Sequence, residues 1–116
     1  MTVRLLLRLE GLAIAAGAVV LYADGDHSWW LFALLALAPD LAFAAYALGP
    51  SLGSAAYNLL HNLVLPIALG TASFLWDSDW GVAVALIWLT HIGVDRLVGY
   101  GLKYPTSPKD THLQRV

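Results

Sequence analysis

The sequence places histidine, aspartate and arginine inside stretches that are otherwise apolar. The clearest case is THIGVDRLVGYG, residues 90–101, which holds His91, Asp95 and Arg96 within six positions. His91 and Asp95 are four residues apart, so on a helix they stack on one face, and Gly99 continues that face without a side chain. YNLLHN, residues 57–62, sets Asn58, His61 and Asn62 at the i, i+3, i+4 spacing of a second polar stripe. Asp40 follows Pro39, and Glu10 lies in RLEG, residues 8–11. Imidazoles and carboxylates in a chain with no cysteine form a donor set suited to zinc, manganese or iron. Helical bundles build such centres from carboxylates and histidines on facing helices. The spacing therefore predicts a divalent metal ion held by His61, His91, Asp95 and Asp40. Glu10 and Asp40 are the expected acid–base groups, and Arg96, Asn58, Asn62 and Tyr100 are the expected substrate contacts.

The elements that must position these groups are long and apolar. The chain is 59% apolar and 12% charged, with a mean hydropathy of +0.70. A soluble domain is about 45–50% apolar and about 25% charged, so the composition points to a membrane protein. Four runs are long enough to cross a bilayer: residues 5–22, 29–48, 52–76 and 80–102. The expected fold is an all-α, four-transmembrane-helix bundle over residues 1–104 with a tail at 105–116. The first run has no small-x-small site of the kind that ends a signal peptide, and Glu10 interrupts its apolar region. Arg4 and Arg8 precede the first run, and Lys103, Lys109 and Arg115 follow the fourth. The positive-inside rule then puts both termini in the cytoplasm and the acidic loops ADGDHS and DSD outside. Trp29, Trp30, Trp76 and Trp80 flank those loops as an interfacial belt. The net charge of −2 gives no reason to expect a nucleic-acid partner.

A charge at the centre of a membrane helix costs on the order of 2.5–3.5 kcal/mol, so these side chains must face the bundle interior. Counted from the helix ends, Asp40 and His61 both lie roughly 13 Å from the inner surface at 1.5 Å per residue. His91 and Asp95 fall at a comparable depth, and Glu10 is shallower. Pro39 and Pro66 kink their helices and free carbonyls near the same level. In the tail, YPTSPKDTHLQRV, two prolines prevent helix 4 from continuing, and Asp110 and His112 are positioned to cap the cytoplasmic mouth or to be solvated.

The whole chain resembles a family of small bacterial inner-membrane proteins known as domain of unknown function 4260. RLEG, APDL (38–41), YNLLHN, THIGVDRLVGYGLKYP (90–105) and KDTHL (109–113) carry the likeness, which implies the full-length fold and no particular activity. A weaker resemblance is to bacterial inner-membrane metal-dependent hydrolases, through Pro39-Asp40, His61, Thr90-His91, Asp95 and Tyr100-Gly101 in the same order. That family carries an early histidine where this chain has Glu10, and more acidic residues after the Pro-Asp pair. The likeness implies a hydrolase and little about its substrate; the polar residues at inner-leaflet depth lead us to expect a lipid-like or phosphorylated one reached from the inner leaflet. Two other classes fit the same residues. One is a small transporter, proton carrier or channel, oligomeric through Gly49, Gly53 or Ala-rich faces. The other is a structural membrane subunit in which the polar groups are interhelical hydrogen bonds, and Asp40 pairs with Arg96.

Overall fold

The computed structural model describes residues 2–116. Its elements are α1 (Val3–Asp24), α2 (Trp29–Leu35), a 3-10 helix (Ala38–Leu48), α3 (Pro50–His61), α4 (Val64–Leu75), α5 (Asp79–Val98) and α6 (His112–Arg115). Among the described residues there is no strand, and Lys103 and Thr111 form an isolated antiparallel bridge. Four helical spans are long and apolar enough to cross a bilayer: Val3–Asp24, Trp29–Leu48, Pro50–Leu75 and Asp79–Val98. Large apolar side chains such as Trp30, Leu34, Leu41 and Trp76 are exposed on the outside of the bundle. A surface of this kind is suited to hydrocarbon rather than water. Arg4 Nε donates to the Leu113 carbonyl at 3.0 Å, so the two ends of the chain lie side by side.

Two of the four expected helices are interrupted, and proline accounts for both breaks. A proline ring clashes with the carbonyl four residues earlier and removes one helical N–H. Pro39 sets that position at Leu35, where α2 ends. Pro66 sets it at Asn62, the residue between α3 and α4. After the first break the chain winds as a 3-10 helix, with the Asp40 N–H bonded to the Leu37 carbonyl at 3.0 Å. At the second break Asn62 joins the two halves. Its Oδ1 accepts from the N–H groups of Val64 (2.9 Å) and Leu65 (3.2 Å), and its Nδ2 donates to the carbonyls of Asn58 (2.9 Å) and Leu59 (2.7 Å).

The fourth span is also shorter than residues 80–102. α5 closes at Gly99, whose φ of 101° is left-handed, with the Tyr100 N–H returning to the Asp95 carbonyl at 2.7 Å. Gly99 is thus a helix stop and does not continue the His91–Asp95 face.

α5 is the centre of the bundle, with α1, α4 and α2 packed on it, while α3 packs on the 3-10 helix. The α1–α5 seam is made of small residues. A Cβ on Gly93 would fall 2.6 Å from the Ala15 nitrogen, and one on Gly11 would fall 2.5 Å from the Arg96 Cβ. Close backbone approach of this kind supplies the packing that holds membrane helices together. Gly53, considered above for contacts between protomers, lies against the Tyr46 ring of its own chain. Two stability changes follow. Gly93→Val should destabilise the bundle by about 1–3 kcal/mol by forcing α1 away from α5. Asn62→Ala should cost about 0.5–2 kcal/mol, as loss of a helix cap does. Thermal unfolding in detergent checks both.

Candidate metal centre

The proline breaks leave backbone carbonyls without helical donors, and side chains of α5 take them. The Ala36 carbonyl accepts from His91 Nδ1 at 2.7 Å, because Asp40 N–H bonds elsewhere. The Leu60 carbonyl accepts from Trp88 Nε1 at 2.6 Å, and the His61 carbonyl from the Arg96 guanidinium at 3.1 Å. Arg96 therefore braces the α3–α4 junction, and Asp40 faces the two histidines instead of Arg96.

Four side chains meet beside these carbonyls. His61 Nε2 lies 3.2 Å from Asp40 Oδ1, 3.5 Å from Asp95 Oδ2 and 3.2 Å from His91 Nε2. His91 Nε2 lies 3.1 Å from Asp40 Oδ1 and 3.4 Å from Asp95 Oδ2. All four ligand atoms lie within 4.8 Å of one another. A tetrahedral ion with bonds of about 2.0–2.2 Å places its ligand atoms about 3.3–3.6 Å apart, close to the five histidine distances of 3.1–3.5 Å.

The tautomers fit the same picture. A carbonyl can only accept, so His91 Nδ1 carries a proton for Ala36, and His61 Nδ1 carries one for the Tyr57 carbonyl at 2.8 Å. In the neutral rings both Nε2 atoms are then acceptors, aimed at each other and at two carboxylate oxygens. Four such acceptors around one point could hold a cation, and a proton on one Nε2 would satisfy them as histidine–aspartate ion pairs. Such outward Nδ1–H bonds are also what fixes histidine orientation in metal sites.

Both imidazoles are buried, whereas the Asp40 and Asp95 side chains are 39% and 18% exposed. The two carboxylates border a cavity of about 630 Å³ together with Phe43, Tyr57, Tyr100 and residues of the C-terminal segment.

The family model for the domain of unknown function DUF4260 matches residues 4–116. The chain belongs to that family. No curated protein and no solved structure matches it.

In this DUF4260 chain the remaining predicted residues take other places. Glu10 is exposed on α1 and borders neither the cluster nor the cavity. Asn62 is the α3–α4 connector, and Asn58 grips the Lys103 backbone by donating to its carbonyl (2.8 Å) and accepting from its N–H (2.7 Å). Tyr100 is exposed and lines the cavity. His112 accepts from the Leu102 N–H at Nδ1 (2.8 Å), and burial, aided by the Arg96 charge, holds its pKa below the ordinary value.

Residues that sequence reasoning missed complete the site. The Tyr57 ring stacks on His61 with centroids 3.6 Å apart, and its hydroxyl donates to Asp95 Oδ2 at 3.3 Å. Its position four residues before His61 is the signal that would have found it. Lys103 is buried with its ammonium 4.2 Å from the Tyr57 ring centre. Burial lowers its pKa, against the pull of the Asp95 and Asp40 carboxylates.

The segment after α5 folds back and caps the cavity. Asp110 pairs with Arg115 at 2.7 Å and accepts from the Thr106 hydroxyl. These partners lower the Asp110 pKa from 3.8 to about 2. The folded value lies below the unfolded one, so this contribution to the fold of the C-terminal segment is present above pH 3.8 and is lost as pH falls through about 2. A carbon-13 NMR titration of the Asp110 carboxyl should give a midpoint near 2, rising toward 3.8 in Arg115→Gln.

Proposed function

We propose that this chain is a membrane-embedded, metal-dependent enzyme, a hydrolase of a lipid-like or phosphorylated substrate. One observation carries the reading: two imidazole nitrogens and two carboxylate oxygens converge, each ring's Nδ1 lies on a backbone carbonyl, and the carboxylates open on a cavity. His61, His91, Asp95 and Asp40 would hold a zinc, manganese or iron ion, all three compatible with nitrogen and oxygen donors without sulfur. A divalent ion there lowers the pKa of bound water and polarises a phosphoryl or acyl oxygen. The buried histidines and the two carboxylates would hold it, the ion would supply activation of a water, and Asp40, the more exposed carboxylate, would accept that water's proton. Basic residues around both ends support the reading that the termini, and with them the cavity mouth, face the cytoplasm at a bacterial inner membrane.

A carrier is the second reading, favoured by the two broken spans that meet at the cluster, since ion-coupled transporters site their cations at such breaks. Against it, α2 and α4 contain no ionisable side chain, so no polar path leads from the cluster past them.

Elemental analysis of the detergent-purified protein should find about one divalent ion per chain, as a four-ligand site holds. The ion should be lost in the His91→Ala, Asp95→Ala double mutant. Hydrolysis of phosphate or carboxylic esters in mixed micelles should depend on that metal and disappear in Asp40→Asn. A folded protein that takes up none of the three metals overturns the centre. Bound metal without hydrolysis, but with Asp40-dependent flux in proteoliposomes, makes the chain a carrier.

A further inference from the structure

Two polar groups in the cavity wall lack the partners their burial demands. Lys103 is 7% exposed. Its ammonium donates to the Pro108 carbonyl at 2.5 Å and sits over the Tyr57 ring. Among the described residues no carboxylate lies within ion-pair distance of it. Thr111, paired with Lys103 across the antiparallel bridge, is 2% exposed, and its Oγ1 has no hydrogen-bond partner. Both residues border the cavity that also meets Asp40 and Asp95. An ammonium with no carboxylate in contact and a hydroxyl without an acceptor are each costly to bury. One oxyanion could satisfy both through charge-assisted hydrogen bonds, once the Thr111 hydroxyl, sealed from solvent here, is opened to the cavity.

A smaller cavity of about 250 Å³ meets the same two carboxylates from another side. Phe32, Leu37, Ile87 and Val94 give it a largely apolar border, and Leu37 and Val94 are exposed on the outer face of the bundle. The cluster therefore stands between a polar chamber, bordered by Lys103, Lys109 and the C-terminal segment, and an apolar one that opens among lipid-facing side chains. A phosphate ester has oxygens for both Lys103 and Thr111 with others left over for the cluster side of the cavity, whereas a carboxylate has two.

Resting on the metal-centre reading, we propose that the site takes an anionic phosphate ester bearing a hydrocarbon chain. The phosphate occupies the larger cavity on Lys103 and Thr111, and the chain leaves through the smaller one into the bilayer.

The test measures retention of phosphatidic acid by the full chain in phosphatidylcholine nanodiscs, using native mass spectrometry. Glycerol 3-phosphate, diacylglycerol and oleate serve as competitors. Wild type should retain phosphatidic acid, and each competitor, lacking the chain or the phosphate, should displace it at least about a hundredfold less well than soluble short-chain phosphatidic acid. Lys103→Met, which keeps the apolar stem, should weaken retention by about tenfold or more. Thr111→Val is the cleaner variant, because the lost hydroxyl makes no bond within the protein. It should leave thermal stability and metal content unchanged while weakening retention several-fold.

Wild-type retention by Thr111→Val overturns the proposal, whatever Lys103→Met does. Equal competition by oleate or diacylglycerol overturns the phosphate assignment, and equal competition by glycerol 3-phosphate overturns the hydrocarbon chain. Metal content is read separately. Retention that depends on Thr111 in a protein unable to bind metal supports the anion site and removes the enzyme. A metal-bound protein indifferent to Thr111 does the reverse.

Discussion

The bundle depends on what becomes of the backbone carbonyls released by Pro39 and Pro66. In hydrocarbon an unpaired carbonyl has no water to turn to, so a proline in a membrane helix must be answered by a donor from elsewhere. Here the answer comes from α5: His91, Trp88 and Arg96 each donate to a carbonyl at one of the two breaks. The bonds that satisfy the broken helices also orient the chemistry. Because His91 spends its Nδ1 proton on Ala36, its Nε2 lone pair faces Asp40 and Asp95. The breaks and the ligand cluster are one construction.

Helix packing serves the same end. Gly11, Ala15 and Gly93 bring α1 within backbone contact of α5 and keep large side chains out of that seam. α5 can then present its polar face to α3 and the 3-10 helix, whose pairing through Gly53 and Tyr46 sets His61 beside Asp40.

Much of this was legible in the sequence. Four apolar runs gave the spans, and the i, i+4 pairing of His91 with Asp95 gave one edge of the cluster. Pro39 and Pro66 marked the breaks. What spacing could not reveal was which polar residue serves chemistry and which serves backbone. Asn62 and Asn58 share a stripe with His61, yet their amides are consumed by the α3–α4 junction and by Lys103. Glu10 has the right residue type, but it lies on a face of α1 that nothing polar covers. Lys103 and Thr111 were read as part of a basic flank and a tail, because a fold-back across Gly99 leaves no periodicity to detect. Gly99 itself, taken for an open helical face, is the left-handed stop that makes the fold-back possible.

The 3-10 winding of Ala38–Leu48 sets a length as well as a turn. At about 2.0 Å per residue its eleven residues reach about 22 Å, against about 16 Å for the same stretch as an α-helix. Three residues per turn also bring Asp40, Phe43 and Tyr46 into a single column, which an α-helix would fan apart. That column runs from the ligand cluster, past the cavity wall, to the Tyr46 hydroxyl beside Ser54. The second span thus acts as a gauge rod: its pitch fixes how far Asp40 reaches toward α5, and a change of pitch would withdraw one ligand without disturbing the other three.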